Sequence, residues 1–395
     1  MRLTTVQEQY DNYVEHTYAR YDLLVAEGIG ATCHDPQGRE YVDFSSGIGV
    51  NALGFCDPGW VAAVASQLGR VQHISNLYYT QPGAELARLL CENSGMQKVF
   101  FANSGAEANE GAIKAARKYS RDKYGPGRHR ILTLQNSFHG RTLATLSATG
   151  QDGFHRHFDP FVEGFGYLPA GDTAALEAAM TPDVCAIFIE LIQGEGGVVP
   201  LDEDYVTHLA RLCAQRDILL VADEVQTGIG RTGAFFCYQS YGISPDIVTA
   251  AKGLGGGLPI GAVLFGAKTA GTLGPGDHGS TFGGNPVVCA GACEVVRRLT
   301  QTGLMEQVVL KGDILRQGLA KLPQVGQVTG KGLMLGVEVP GLDARKVAAA
   351  CLEEGLIVLT AKAKVRFLPP LTITDEEINR GLAAFARALA GLRAE

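Results

Sequence analysis

Short, continuously apolar runs alternate with helical stretches through the middle of the chain. Each run has the length of a β-strand and does not alternate with polar residues, as a strand with one exposed face would. Strands that are buried on both faces form mostly parallel sheets covered by helices. We therefore expect an α/β fold with a mainly parallel sheet. The predicted strands are Val99–Phe101, Ile131–Leu134, Ala186–Ile189, Ile218–Ala222, Ile247–Thr249 and Ala262–Phe265.

The end of the chain has a different pattern, which is typical of a smaller α+β domain. At 395 residues the chain exceeds the usual size of one hydrophobic core. We expect a large domain over residues 59–299 and a small domain that combines 1–58 with 300–395, with a helix over 304–319 as the connection. The predicted small-domain elements are strands at 331–339, 356–360 and 365–367, a helix over 343–354, and a final helix from the capping box Thr374–Glu377 to about Leu389.

Charge, hydropathy and cysteine spacing exclude several classes of partner. The 34 Lys and Arg residues against 41 Asp and Glu residues give a net charge of −7, which disfavours nucleic acid and anionic membranes. No apolar run approaches the roughly 18 residues that span a bilayer, and no signal-peptide segment is present. Nine cysteines without a Cys-x-x-Cys pair indicate reduced thiols in a cytoplasmic protein. His155 and His157, read as one strand face without a third ligand, predict no metal site.

Lys252 is the candidate for the chemically reactive group. It follows the predicted strand 247–249 and precedes a glycine-rich segment, Gly253–Gly257. A lysine amine is mostly protonated in water, but its pKa falls in a desolvated site, where it can condense with an aldehyde. Asp223 ends a neighbouring run and can pair with a pyridinium nitrogen. This combination indicates pyridoxal phosphate (PLP) chemistry, whereas an isolated lysine before glycines is more often a surface residue.

A predicted helix N-terminus offers a place for a phosphate group. Ser104 and Glu107 have the spacing of a capping box directly after the strand 99–101. Gly105 and Ala106 leave the first backbone N–H groups open, and a helix N-terminus attracts anions. An ordinary N-cap is the alternative. Beside a lysine that requires a phosphorylated aldehyde, the segment is predicted to bind the phosphate.

Two further loops and one apolar segment carry candidate ligand-binding side chains. Phe138 can stack on an aromatic cofactor, and Arg141 can hold a carboxylate bidentately. Arg366 is a charge inside an apolar segment and therefore needs a partner or a ligand. Glu195, in a glycine-rich turn, can supply that partner, and a structural ion pair is the alternative.

The segment Gly228–Gly233 satisfies the dinucleotide fingerprint G-x-G-x-x-G. In the true fingerprint the first glycine lies at the end of a strand and the motif opens a helix. Here Asp223 to Thr227 intervene and no helix start follows, so a dinucleotide-dependent oxidoreductase is only a weak alternative. No G-x-S-x-G motif occurs, so a serine hydrolase lacks its nucleophile signal.

Taken in order, these segments resemble the class III (subgroup II) aminotransferases, which are PLP enzymes of fold type I. The resemblance extends from Tyr41 to Leu371 and is greatest to the acetylornithine aminotransferases, through the segments Ser75–Thr80, Gly255–Ala262 and Gly276–Pro286. It implies a large PLP-binding domain and a homodimer with shared active sites. It also implies transfer of the terminal amino group of N2-acetyl-L-ornithine to 2-oxoglutarate, in arginine biosynthesis. The products would be N-acetyl-L-glutamate 5-semialdehyde and L-glutamate.

The resemblance implies a role for each residue around the cofactor ring. Lys252 would bond the cofactor aldehyde and move the substrate proton, and Asp223 would pair with the pyridine nitrogen. Phe138 and Val225 would enclose the ring, and Gln226 would bond its phenolic oxygen. The phosphate contacts would be Ser104, Gly105 and Ala106 of one subunit and Thr281 of the other.

The resemblance also implies how the substrates are held. Ser280 and Arg141 would contact acetylornithine, with Arg141 on its carboxylate. Glu195 would pair with Arg366 in the first half-reaction and release it for the α-carboxylate of 2-oxoglutarate in the second. Ornithine, 4-aminobutyrate and succinyldiaminopimelate aminotransferases share this fold and remain alternatives.

Overall fold

The computed structural model describes residues 3–392. The elements up to the middle of the chain are α1 (Leu3–Tyr13), β1 (Glu27–Ile29), β2 (Thr32–His34), β3 (Glu40–Asp43), α2 (Ser46–Gly49), α3 (Pro58–Leu68), α4 (Gln81–Ser94), β4 (Lys98–Ala102), α5 (Gly105–Tyr124), β5 (Arg130–Leu134), α6 (Leu143–Ala148), α7 (Asp152–His155), β6 (Phe165–Leu168), α8 (Thr173–Ala179), β7 (Val184–Ile189), β8 (Ile192–Gln193) and β9 (Val199–Pro200). They are followed by α9 (Glu203–Arg216), β10 (Leu219–Asp223), β11 (Ile247–Ala250), β12 (Gly261–Phe265), α10 (Pro286–Gln301), α11 (Leu304–Ala320), β13 (Val328–Lys331), β14 (Met334–Glu338), α12 (Ala344–Glu353), β15 (Leu356–Ile357), β16 (Leu359–Ala361), β17 (Lys364–Phe367) and α13 (Asp375–Ala390). Two 3-10 helices span Cys237–Tyr241 and Lys252–Gly255.

A mainly parallel sheet forms the centre of the molecule, as the apolar runs predict. Within the described residues it has the strand order β4-β12-β11-β10-β7-β5-β6. All neighbours are parallel except β12, which is antiparallel to both β11 and β4. A parallel crossover needs about a dozen or more residues, and only residues 251–260 separate β11 from β12. The short connection therefore reverses the strand, a property that its apolar composition alone does not reveal.

The small sheets combine both ends of the chain. β3 pairs in parallel with β15, so that Val42 lies opposite Leu356 in the sheet β1-β2-β3-β15. The second sheet has the order β13-β14-β17-β16. This pairing is what a small domain built from both termini requires. The domain boundaries stay a prediction, and residues 1–2 and 393–395 of that assignment lie outside the described part.

Several predicted elements differ from the structure in a way that their sequence explains. The predicted strand 331–339 corresponds mainly to β14, and its first residues end β13 and form the turn before β14, where Gly332 adopts a positive φ of 55°. The predicted strand 356–360 is divided, because β15 joins the first small sheet and β16 pairs with β17. His155 lies at the end of α7 and not on a strand, so the expectation of two imidazoles on one strand face is wrong. β6 is a further strand that the apolar runs did not reveal.

The capping box at the start of the last helix is confirmed. The Thr374 hydroxyl accepts from the backbone N–H of Glu377 at 3.2 Å, and the Glu377 carboxylate accepts from the Thr374 N–H at 2.8 Å.

No helix in residues 3–392 is long and apolar enough to cross a membrane.

The glycine-rich segment Gly228–Gly233 connects the central sheet to the C-terminal strands. It has irregular backbone, and the buried side chain of Arg231 points away from the surface. Its Nη1 donates to the carbonyl groups of Leu333, at 3.1 Å, and Pro369, and its Nη2 donates to the Ser46 hydroxyl at 3.4 Å. Burial lowers the pKa of Arg231 to about 9, against the opposing charge of Asp43. The motif is therefore a structural junction.

Replacing Arg231 with Met should lower the free energy of unfolding by about 2–4 kcal/mol. The apolar side chain fills the space but leaves buried acceptors without a donor. Urea unfolding followed by circular dichroism measures the change. The matched control is Arg380→Met, which removes a partly exposed ion pair with Glu40 and should change stability by less than about 1 kcal/mol. Equal effects of the two substitutions would contradict the assignment.

Candidate active site

A cavity of about 480 Å³ opens at the carboxyl ends of the central strands, where ligands bind in α/β sheets. The structure brings many of the predicted site residues together around it. The predicted residues that line it are Ser104, Gly105, Ala106, Phe138, Arg141, Asp223, Val225, Gln226 and Lys252. Lining residues that the sequence did not single out include Asn103, Asn109, His139 and Glu190.

Lys252 lies directly after β11 on the short connection to β12. Its φ of 45° is positive, and the glycines that follow allow the tight 3-10 turn that presents the side chain to the cavity. Burial lowers the pKa of the Lys252 amine; the charge of Glu195 opposes this effect and that of Arg366 adds to it. No hydrogen bond or ion pair engages the amine anywhere in residues 3–392. Lys252 is thus placed as a nucleophile or a base.

Asp223 ends β10 and is bonded from three directions. Its Oδ2 accepts from Asn109 Nδ2 at 2.8 Å and from His139 Nδ1 at 2.7 Å, and its Oδ1 accepts from the Val225 N–H at 3.0 Å. Burial disfavours the charged imidazole, but Asp223 and Glu190 outweigh it and raise the pKa of His139. A carboxylate has about four acceptor positions, so Asp223 retains one for a donor in the cavity that it lines.

The N-terminus of α5 forms one end of the cavity. Ser104 caps the helix by accepting from the Glu107 N–H at 3.2 Å. The Glu107 carboxylate accepts from the Asn103 N–H at 2.6 Å rather than from Ser104, so the predicted capping box is shifted by one residue. A Cβ on Gly105 would approach Val225 Cγ1 to 2.7 Å, so only glycine fits there. The first amides of a helix have no intrahelical acceptor and can bind an anion.

Glu195 and Arg366 form an ion pair beside the cavity. Arg366 Nη1 lies 2.6 Å from Glu195 Oε1 and also donates to Gln226 Oε1 at 3.2 Å. Burial opposes ionisation of Glu195, but Arg366 outweighs it and lowers the pKa of the carboxyl group. Arg366 Nε is buried and has no acceptor in the described part of the chain. The guanidinium therefore has an N–H donor that no group of the described chain satisfies.

The remaining predicted residues lie further away. Ser280 lies behind the cavity wall, where its hydroxyl accepts from Asn103 Nδ2 at 3.1 Å and from the Gly283 N–H at 2.9 Å. Thr281 lines a separate small depression together with His73. The single chain thus does not bring Thr281 to the cavity.

Two buried glutamates were not singled out by the sequence, although their positions carry a signal. Glu190 directly follows β7, as Asp223 ends β10, so both carboxylates lie at the same edge of the sheet. Burial raises the pKa of Glu190 to about 7, and its Oε2 accepts from the Phe138 N–H at 2.9 Å. Burial also raises the pKa of Glu224 to about 7, although Thr227 donates to it at 2.6 Å.

The stability of the protein should fall as pH rises from about 4.5 to 7, in part because of Glu224. The unfolded chain releases this proton near pH 4.5, whereas the native state keeps it until about pH 7, so the native state binds more protons in between. Glu224→Gln should reduce the loss of unfolding free energy between pH 5 and pH 8 by about 2–3 kcal/mol. Urea unfolding at both pH values measures it. Exposed Glu353→Gln is the control and should leave the pH dependence unchanged.

Comparison with known proteins identifies the family. The family model described as aminotransferase class-III matches residues 13–389. The acetylornithine aminotransferase of Haemophilus ducreyi is 54% identical over 96% of this chain and 96% of its own length. That of Caldanaerobacter subterraneus subsp. tengcongensis is 48% identical over 96% of this chain and 98% of its own.

Solved structures agree. An ornithine aminotransferase from Toxoplasma gondii superposes with a TM-score of 0.94 at 33% identity, covering 99% of this chain and 95% of its own. An N-acetylornithine aminotransferase from Stenotrophomonas maltophilia gives 0.83 at 39% identity, covering 95% and 97%. The chain belongs to the class III aminotransferases and has PLP fold type I. It is a PLP-dependent aminotransferase, which excludes the dinucleotide-dependent alternative.

The cavity fits the cofactor that this family uses. A buried lysine amine with a lowered pKa, an aspartate with a spare acceptor position, and a helix N-terminus where only glycine fits match the aldehyde, ring nitrogen and phosphate of PLP. Among residues 3–392, no group of three or more His, Cys, Asp or Glu side chains is placed to bind a metal ion.

Proposed function

We propose that this enzyme transfers the terminal amino group of N2-acetyl-L-ornithine to 2-oxoglutarate, as in arginine biosynthesis. The observation that carries the proposal is the Glu195–Arg366 ion pair next to the Lys252 cavity. One substrate reacts at a carbon without a carboxylate, and the other reacts next to one. A site for both needs a cation that can be neutralised in one half-reaction and available in the other. The names of the relatives support the same substrate.

The cofactor contacts in this proposal come from several elements around the cavity. When bound, PLP would supply an aldehyde carbon that takes up the amino group and a ring that acts as an electron sink. Lys252 holds the aldehyde end and Asp223 the ring nitrogen, while Phe138 and Val225 enclose the ring and Gln226 reaches its phenolic oxygen. The phosphate contacts are Ser104, Gly105 and Ala106 of one subunit and Thr281 of the other.

Lys252 is also the acid–base group of the proposed reaction. Because its lowered pKa favours the neutral amine, Nζ can take the proton from the substrate carbon that bears the amino group. The resulting ammonium then returns a proton to complete the transfer. Asn109 and His139 donate hydrogen bonds to Asp223 and so hold its carboxylate in place. In that position the carboxylate can accept a hydrogen bond from the ring nitrogen of the cofactor.

The substrate contacts in the proposal use both arginines. Arg141, at the cavity wall, binds the carboxylate of acetylornithine, with Ser280 nearby. Glu195 neutralises Arg366 while the amine substrate is bound, because an unpaired buried guanidinium is costly. It moves away when the α-carboxylate of 2-oxoglutarate takes its place.

We also propose that the active unit is a cytoplasmic homodimer. Leu77, Tyr79 and Phe282 are 86%, 106% and 62% exposed, an arrangement that favours burial against a second copy. They lie in the same two segments as the depression that contains Thr281. In a dimer this residue can reach the phosphate in the other subunit. The nine free cysteines of the described chain suit a reducing compartment.

Acetylornithine should convert the yellow PLP-loaded enzyme to its colourless amine form, and 2-oxoglutarate should restore the colour. Absorbance titrations of each half-reaction measure this, run in parallel with ornithine, 4-aminobutyrate and succinyldiaminopimelate. Lys252→Ala is the control and should show no conversion on the same time scale, because the base is removed. A wild-type protein that stays colourless with added PLP, or that prefers another amine, would overturn the proposal.

Glu195→Ala should lower the ratio of single-turnover rate to apparent Kd about tenfold or more in the half-reaction with acetylornithine. The same ratio for 2-oxoglutarate should change less than about threefold. Removing the carboxylate leaves Arg366 uncompensated only while no dicarboxylate is bound. Single-turnover rates and apparent Kd values for the two half-reactions measure the difference. Glu195→Gln, which keeps the volume but not the charge, should behave in the same direction. An equal loss in both half-reactions would rule out the exchange.

A further inference from the structure

The guanidinium of Arg141 is held by aromatic rings. It is exposed, and within residues 3–392 it makes no ion pair and no hydrogen bond. Its Cζ lies 4.2 Å from the centre of the Phe154 ring and 5.6 Å from that of Phe138. Both distances are in the range of cation–π attraction, and Phe154 is the closer ring.

Stacking suits a guanidinium that must bind a carboxylate. The planar group carries five N–H donors, and a contact with a ring uses no carboxylate or carbonyl acceptor, so these donors stay available to a ligand. A carboxylate partner within the protein would instead occupy the donors and would have to leave when the substrate binds. A freely rotating Arg141 would lose side-chain entropy when it binds the substrate. Contact with the rings already restricts the side chain, so less entropy is lost on binding.

Phe154 is itself fixed at its position. It lies on α7, where Gln151 Nε2 donates to the Ser137 carbonyl at 3.0 Å and His155 Nε2 lies 2.9 Å from the Leu146 carbonyl. Its ring meets Phe138 edge-on, with centroids 5.6 Å apart and planes at 71°. Phe154 is absent from the residues that line the cavity, whereas Phe138 and Arg141 line it. It therefore acts through its neighbours and does not touch the substrate.

We propose that Phe154 is a positioning residue that holds the Arg141 guanidinium ready for the carboxylate of the amine substrate. The proposal rests on the proposed function, in which Arg141 binds that carboxylate. It deepens that function, because it makes an aromatic residue outside the cavity a determinant of selection for amines that carry a carboxylate.

The test compares two amines that differ in one group. N-acetyl-1,4-diaminobutane is acetylornithine with a hydrogen in place of the carboxylate. Phe154→Leu in the holoenzyme should raise the apparent Kd for acetylornithine about 3- to 5-fold, since the ring attraction is lost while most of the apolar volume is kept. The Kd for the carboxylate-free amine and the maximal rate with either amine should stay the same. Phe154→Tyr should restore wild-type values.

Two further variants show whether the effect passes through Arg141. Arg141→Met should weaken the binding of acetylornithine far more than the binding of the carboxylate-free amine. Adding Phe154→Leu to Arg141→Met should change neither Kd further. Phe158→Leu is the matched control: this residue lies in the loop that follows α7, is 55% exposed, and makes no ring contact with Arg141 in the described structure. Both Kd values should be unchanged in that variant.

The outcomes separate the two proposals. If Arg141→Met fails to distinguish the two amines, the role of Arg141 in the proposed function is wrong, and the role of Phe154 falls with it. A different result would be that Arg141→Met distinguishes the two amines while Phe154→Leu weakens the binding of both equally, weakens the binding of neither, or adds to the effect of Arg141→Met in the double variant. In each of these cases only the role of Phe154 is wrong. Thermal unfolding confirms that the variants are folded, and Phe154→Met replaces the leucine variant if that one does not fold.

Discussion

The carboxylate of Asp223 is the interaction on which the rest of the site depends. Through His139 it is joined to the loop after β5, through Asn109 to helix α5, and through the Val225 N–H to the loop that follows its own strand. These elements come from separate parts of the chain, and each supplies a wall of the cavity. A charge in this position is tolerated because it is bonded on several sides, and removing any of its donors would leave a buried anion short of partners.

The sequence predicted most of the large-domain strands because their burial on both faces produces continuous apolar runs. It predicted the residues at the carboxyl ends of those strands for the same reason, since Asp223 ends its strand and Lys252 and Ser104 each lie within two residues of a strand end. The direction of β12 was less accessible, because a reversed strand and a parallel one have the same composition. The length of the preceding connection was the signal that reveals it.

Other parts could not be predicted from local sequence because they depend on tertiary contacts. The division of the predicted strand 356–360 between two sheets is set by partners far away in the chain, β3 and β17. The pairing of Glu195 with Arg366 was expected because a charge inside an apolar segment needs a partner, but burial of His139 and Glu190 follows from the packing of the sheet. The position of Thr281 outside the cavity likewise depends on a surface that one chain leaves open.

Helix α5 contributes to both ends of the proposed cofactor site, the phosphate end and the ring-nitrogen end. Gly105 stands at its first turn, and Asn109, which bonds Asp223, lies one turn further along. At about 1.5 Å per residue the two positions are about 6 Å apart along the helix axis. Glycine at position 105 lets the helix approach Val225 closely, because a Cβ there would lie 2.7 Å from Val225 Cγ1. The spacing of Gly105 and Asn109 therefore suits a ligand that carries both a phosphate and a ring nitrogen. A pyridine ring without its phosphate would contact only one of them.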